Sequence, residues 1–267
     1  MNIRKRLLPA ALIVIVTIGC ILLSRVTRVG FFALLAVMSA FELAYVLKEA
    51  EIPVSRELLI VYILVHSVLC YLGASAGWMV ALYAFCAFVA MFLGVLRGER
   101  GEKLAVGTVF GLLWPFGFYA LTIHAAASAA WLPILAIAIL GTWACDSMAL
   151  IGGKLLGKHK LAPEVSPNKT WEGAISGAVF AIIAGWLISL ILKTAAPVPA
   201  LPCMVISFAA SCFGQIGDLA ASLIKRLAGV KDYGHLMPEH GGIMDKMDSM
   251  LFAIPAAYLG LYLFGLV

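Results

Sequence analysis

The chain has 267 residues, of which 63% are hydrophobic and only 12% charged, and its formal net charge is +5. A soluble globular protein carries roughly 25% charged residues, so this composition excludes a water-covered surface. What remains is an all-α, polytopic transmembrane bundle whose outer face is covered by lipid.

In chain order, the first feature is Met1-Asn-Ile-Arg-Lys-Arg followed by an apolar run. No small-residue cleavage site follows, so this run reads as an uncleaved first span rather than a signal peptide. A span needs about 20 apolar residues. Scanning for such runs predicts nine, near 7–24, 29–47, 58–73, 77–96, 104–123, 130–151, 172–192, 200–224 and 246–266. The third is short and ends in Gly73-Ala74-Ser75-Ala76-Gly77. If that segment is re-entrant, the count is eight.

With the N-terminus cytoplasmic, the external segments hold only Arg25, Arg28 and Lys193, leaving 16 of the 19 Lys and Arg residues inside. Such an imbalance is what sets orientation in a membrane. The organisation expected is an N-terminal scaffold over 1–129 and a catalytic region over 130–267. That region carries two long cytoplasmic loops, 152–171 and 225–245. The first five spans are poor in polar residues, so chemistry is expected in the C-terminal half. The six cysteines (20, 70, 86, 145, 203, 212) are scattered within apolar stretches and suggest neither a disulfide framework nor a zinc site.

Ionisable residues inside spans are costly and mark functional sites. Asp146 lies near the cytoplasmic end of the sixth predicted span and Asp218 about seven residues before the end of the eighth. Each is roughly 8–10 Å below the inner membrane boundary at 1.5 Å per residue. Asp245 and Asp248 open the ninth span three residues apart, on one helix face. Four carboxylates at headgroup depth repel one another, and a divalent cation with hard oxygen ligands resolves the repulsion. Pairing of each aspartate with a nearby Lys or Arg is the alternative.

Basic groups surround this cluster. Lys154, Lys158, His159 and Lys160 precede Ser166-Pro-Asn-Lys-Thr-Trp-Glu-Gly173, where Ser166 is expected to cap the seventh span with Pro167 at its first helical position. A helix N-terminus beside Lys169 is an anion site. The second loop adds Lys225, Arg226, Lys231 and His240-Gly-Gly242, whose glycines let backbone N–H groups approach a phosphate. His235 and His240 as zinc ligands are a weaker reading. Phosphates, a divalent metal and a site at headgroup depth describe phosphoryl or nucleotidyl transfer on a lipid.

The segment from Ser222-Leu-Ile-Lys-Arg226 through Lys231-Asp232 to His240-Gly-Gly-Ile-Met-Asp-Lys-Met-Asp248 closely resembles the signature of the phosphatidate cytidylyltransferase (CDP-diacylglycerol synthase) family. Asp146 through Gly153 and Ser166 through Gly173 resemble two further blocks of that family. Lys246 departs from the pattern, standing where the family usually has Arg, which keeps the charge and loses the bidentate fork.

The resemblance implies attack of the phosphate of phosphatidic acid on the α-phosphorus of CTP, with release of pyrophosphate; the count of basic residues puts this on the cytoplasmic side, and the compact chain points to a bacterial inner membrane. It implies Asp218 and Asp245 as ligands of Mg²⁺, Asp146 and Asp248 as supporting ligands or orienters, and leaves a second cation open. Lys169, Lys225 and Arg226 become catalytic cations. Ser166, Asn168, Thr170, Ser222, Lys231, Asp232, His240, Gly241, Gly242 and Lys246 join them in substrate binding. The expected partners are CTP, phosphatidic acid, membrane lipid and a second copy of the chain, with no nucleic acid. A CTP-dependent polyprenol or phytol kinase is the nearest competing reading, and a cation transporter a more distant one.

Overall fold

A computed structural model describes residues 16–234 and 241–267, and within them the chain is an all-α bundle with one two-stranded hairpin. Helical residues 16–23 end at Ser24, where the chain turns into α1 (Arg25–Glu49). Ser24 and Thr27 exchange side-chain and backbone hydrogen bonds in a capping box. Helix α2 (Arg56–Leu72) begins at the N-cap Ser55 and stops at Gly73, whose φ of +72° needs no Cβ to be avoided. It is followed by α3 (Ala76–Arg97) and α4 (Gly101–Gly111). At Trp114-Pro115 the helix breaks, with Trp114 extended (φ −139°, ψ 128°) as the residue before a proline prefers. Helix α5 (Gly117–Ala127) resumes the path, and α6 (Trp131–Leu156) follows.

The hairpin β1 (Lys160–Ala162) and β2 (Ser166–Thr170) is antiparallel. It leads into α7 (Trp171–Ile191), α8 (Ala200–Leu227) and α9 (Met244–Leu263). One expectation is corrected at the hairpin: Ser166 is in β2 and does not cap a helix. Proline favours extended backbone on its N-terminal side, and strand pairing then carries the chain four residues further. The N-cap is Thr170, whose hydroxyl accepts from the Gly173 N–H.

Six helical stretches in the described residues are long and apolar enough to cross a membrane: Arg25–Glu49, Ala76–Arg97, Gly101–Ala127, Trp131–Leu156, Trp171–Ile191 and Ala200–Leu227. Of the other expected spans, 7–24 lies largely outside the described residues. The third is the 17-residue α2, one continuous helix. The ninth is α9, with Asp245, Lys246 and Asp248 near its start. Large apolar side chains such as Trp78, Phe85, Val95 and Leu155 are exposed around the bundle, as a lipid-facing surface requires. All six cysteines are free thiols.

The tightest packing joins α6 to α7 and α8 to α9. Helix α7 buries Gly173, Gly177, Ala181 and Gly185, one small residue per turn. A Cβ on Gly177 would stand 2.7 Å from the Cys145 carbonyl of α6, and one on Gly185 would stand 2.7 Å from the Cys203 carbonyl of α8. Among helices in lipid, which lack a hydrophobic drive to associate, small residues permit the close contact that holds them together. The N-terminal helices join this group through α5, where Phe118 stacks on Phe252 of α9 at 4.3 Å between centroids.

Gly177→Val places two methyls against α6 backbone. It is expected to cost about 1–3 kcal/mol by overpacking, read as a lowered unfolding midpoint in detergent, whereas valine in place of the exposed Ile175 on the same helix should cost far less.

Candidate active site

The site forms where α6, the β-hairpin, α8 and the start of α9 meet. Helix α8 presents Asp218, Ser222 and Lys225 at i, i+4 and i+7, one face of a 3.6-residue helix. The Ser222 hydroxyl donates to Asp218 Oδ1 at 3.4 Å. Gly217, directly before Asp218, lets α9 approach: a Cβ there would lie 2.5 Å from the Asp248 carbonyl. From the other side β2 delivers Lys169, whose Nζ is 2.6 Å from Asp218 Oδ2. Two turns along α8 from Asp218, Lys225 Nζ is 2.7 Å from Asp245 Oδ1 of α9.

Asp245 is the most heavily used acceptor. Its second oxygen accepts from the N–H groups of Tyr233 (2.8 Å) and Gly242 (2.9 Å), so it ties the loop after α8 to the start of α9. Tyr233 is buried, its hydroxyl donates to the Ala221 carbonyl, and the Lys225 ammonium lies 5.6 Å from its ring centroid. Asp146 sits within charge range of Asp218 and Lys169, and Asp248 within range of Asp218, Lys225 and Asp245.

The four aspartates expected to share a depth therefore do converge, but as a chain of charges interleaved with two lysines. Among the described residues, no group of three or more His, Cys, Asp or Glu side chains is arranged to hold a metal ion. Asp245 has both oxygens committed. Asp146, by contrast, is exposed and accepts no hydrogen bond from a described residue, and Asp248 accepts only the Ser249 N–H (2.7 Å). A hard cation at Asp218 would first have to displace Lys169 from its 2.6 Å pairing.

The remaining predicted residues divide. Arg226 donates from Nε to the Val165 carbonyl (3.2 Å) and from Nη1 to the Val230 carbonyl (3.4 Å), fastening the hairpin to the end of α8. Ser166 and Asn168 lie on the hairpin, Thr170 is spent on its cap, and Asp232 is half-buried in the loop after α8. Lys231 and Lys246 are exposed. Gly241 has φ +79°, but the Gly242 N–H faces Asp245, not open space where a phosphate would sit, because the start of α9 folds back on its own carboxylate. His240 and His235 lie outside the described residues.

One residue was missed. Glu42, in the middle of α1, accepts from the N–H groups of Ile243 and Met244 at 2.8 Å each. A carboxylate inside the apolar run 29–47 is the same signal that singled out Asp146 and Asp218, and the expectation that the first spans take no part in the site does not hold for it.

The sequence profile of the Cytidylyltransferase family matches residues 4–264. A protein of Bacillus subtilis (strain 168) named phosphatidate cytidylyltransferase is 46% identical over 123 residues, 46% of this chain and 45% of that protein. One of the same name from Brucella abortus biovar 1 (strain 9-941) is 37% identical over 195 residues, 72% of this chain and 58% of the relative. A third, from Staphylococcus saprophyticus subsp. saprophyticus, is 42% identical over 118 residues, 44% of this chain and 45% of the relative. The chain thus spans about half the length of the curated relatives it matches.

The Lys225–Asp245 pair has side chains only 11% and 9% exposed, so removing one partner strands the other. Lys225→Met is expected to destabilise by about 3–5 kcal/mol, and the double variant with Asp245→Asn by less than the sum of the two singles, read from denaturation midpoints in a double-mutant cycle.

Proposed function

The chain belongs to the cytidylyltransferase family, and from that premise we propose that it transfers the cytidylyl group of CTP to phosphatidic acid, forming CDP-diacylglycerol and pyrophosphate. The observation that carries this reading is the pair of lysines, Lys169 and Lys225, each held by a carboxylate at the meeting point of hairpin, α8 and α9. Such ion pairs are poised for exchange. Phosphates of an incoming nucleotide take over the ammonium groups, and the released carboxylate oxygens of Asp218 and Asp245 become available together with Asp146 and Asp248. These are the residues that would hold Mg²⁺, with a second cation left open. When bound, the ion neutralises charge on the triphosphate as pyrophosphate departs.

In the transfer, a phosphate oxygen of phosphatidic acid forms the new bond to the α-phosphorus of CTP. The bond between that phosphorus and the oxygen bridging to the β-phosphate breaks, and the electron pair leaves with pyrophosphate. The attacking phosphate has its second pKa near 6, so it is ionised at neutral pH and needs no general base. Lys169 and Lys225 neutralise and orient the phosphates, with the exposed Lys231 and Lys246 adding positive charge at the rim. Arg226 serves by holding the hairpin, and with it Lys169, against α8.

We place the reaction at the cytoplasmic face of a bacterial inner membrane, in a nine-span chain with a cytoplasmic N-terminus that pairs with a second copy. The distribution of Lys and Arg supports the orientation. A cysteine replacing Lys158 in a cysteine-free background is expected to react with an impermeant thiol reagent in inverted membrane vesicles and not in intact cells; the reverse pattern overturns the orientation.

With CTP labelled at the α-phosphate, purified protein, phosphatidic acid and Mg²⁺ are expected to move label into a chloroform-soluble product. Label reaching lipid from the γ-phosphate instead identifies a kinase. Asp218→Asn is expected to lower kcat by at least roughly 1000-fold, the scale of losing a main electrostatic element of a site, in protein that keeps its helical circular dichroism.

A further inference from the structure

The N-terminal end of α9 carries Asp245 and Asp248, so the placement of that end decides the geometry of half the site. The first N–H groups of a helix have no partner within it. Here three consecutive donors are taken by carboxylates: Gly242 by Asp245 Oδ2, Ile243 by Glu42 Oε1 and Met244 by Glu42 Oε2. Glu42 belongs to α1, about 200 residues earlier in the chain, and it is the one side chain of α1 hydrogen-bonded to this segment among the described residues.

The contact is built closely. A Cβ on Gly242 would stand 2.6 Å from the Glu42 carboxyl atoms, and one on Gly234 would stand 2.8 Å from Oε1, so a side chain at either position would push the carboxyl group out of place. Ser39, one turn before Glu42, shares a 2.6 Å hydrogen bond with buried Tyr119 of α5, which itself lies within charge range of Glu42 and Asp248. The turn of α1 before Glu42 is thus fastened to α5, and the Glu42 carboxylate meets the positive end of the α9 dipole.

We infer that Glu42 is a positioning residue for the transfer reaction: it fixes the start of α9, and through it Asp245 and Asp248, relative to Lys225 and Asp218. The catalytic part of this inference rests on the function proposed above. Both oxygens are required, since each accepts one N–H. Glutamine keeps the shape but has a single acceptor oxygen, and its amide NH₂ would turn a donor toward a donor. The first span group therefore enters the site by holding it, without touching substrate.

The test combines amide hydrogen exchange with kinetics on wild type, Glu42→Gln and Glu42→Ala. In wild type, Ile243 and Met244 should be slow to exchange. In Glu42→Gln the peptide covering 241–250 should exchange at least about tenfold faster, the scale of a lost charge-assisted hydrogen bond, while peptides from α6 and α7 keep wild-type protection. The same variant should lose roughly 100-fold in kcat, the scale of misplacing a catalytic group by about 1 Å, with a much smaller change in KM for CTP. Fast exchange of these amides in wild type, or unchanged exchange in either variant, overturns the lock. Wild-type kcat in a variant whose exchange has risen overturns the positioning role. A wild-type protein that moves no label from CTP to lipid overturns the proposed function and the catalytic half of this inference, while the exchange data still decide the lock.

Discussion

Asp245 and Glu42 together close the exposed end of a helix that begins within a lipid-covered protein. The N–H groups of Gly242, Ile243 and Met244 are buried in the protein, and a buried N–H left without a partner is costly. The solution is two carboxylates taking the N–H groups of residues 242, 243 and 244. Those charges in turn need compensation, which Lys225 supplies to Asp245 at 2.7 Å. Helix α1, helix α8, the Tyr233 loop and helix α9 all meet at this point because the same few groups must satisfy one another. A polar requirement of the backbone has become the frame of the site.

The second constraint is steric. Asp218 and Asp248 sit on different helices, and they come within charge range of each other because Gly217 lets the backbone of α8 approach the Asp248 carbonyl of α9. The same device repeats on α7, where Gly173 and Gly177 admit α6, and thereby bring Asp146 toward Asp218 and Lys169. Small residues lower the distance between helix axes, and a shorter distance makes a charge felt across it. Packing and electrostatics in this bundle are therefore one problem.

Interleaving lysines with aspartates also suits a protein that receives a multiply charged ligand. An unpaired carboxylate or ammonium at this depth is costly, so each holds the other until a better counter-charge arrives. In the function proposed, a triphosphate with its cation offers both signs at once, anionic oxygens for the lysines and a cation for the aspartates. The exposed Lys231 and Lys246 are not part of this balance and add positive charge toward the water.

The composition and the spacing of apolar runs determined the fold class, because a chain so poor in charge can be stable only as helices in lipid, and the helices follow those runs closely. The intramembrane aspartates and the loop lysines were legible for the same reason: a charged residue in an apolar run stands out without any knowledge of its neighbours. Partnership was not legible. That Lys169 belongs to Asp218, that Arg226 holds backbone carbonyls, and that Ser166 starts a strand instead of capping a helix all depend on where the hairpin lands, which spacing along the chain does not encode. Glu42 marks the boundary most clearly. Its type and setting made it visible as an anomaly, but its role exists only because folding brings residue 42 to residues 243 and 244, where two bare N–H groups need two oxygens.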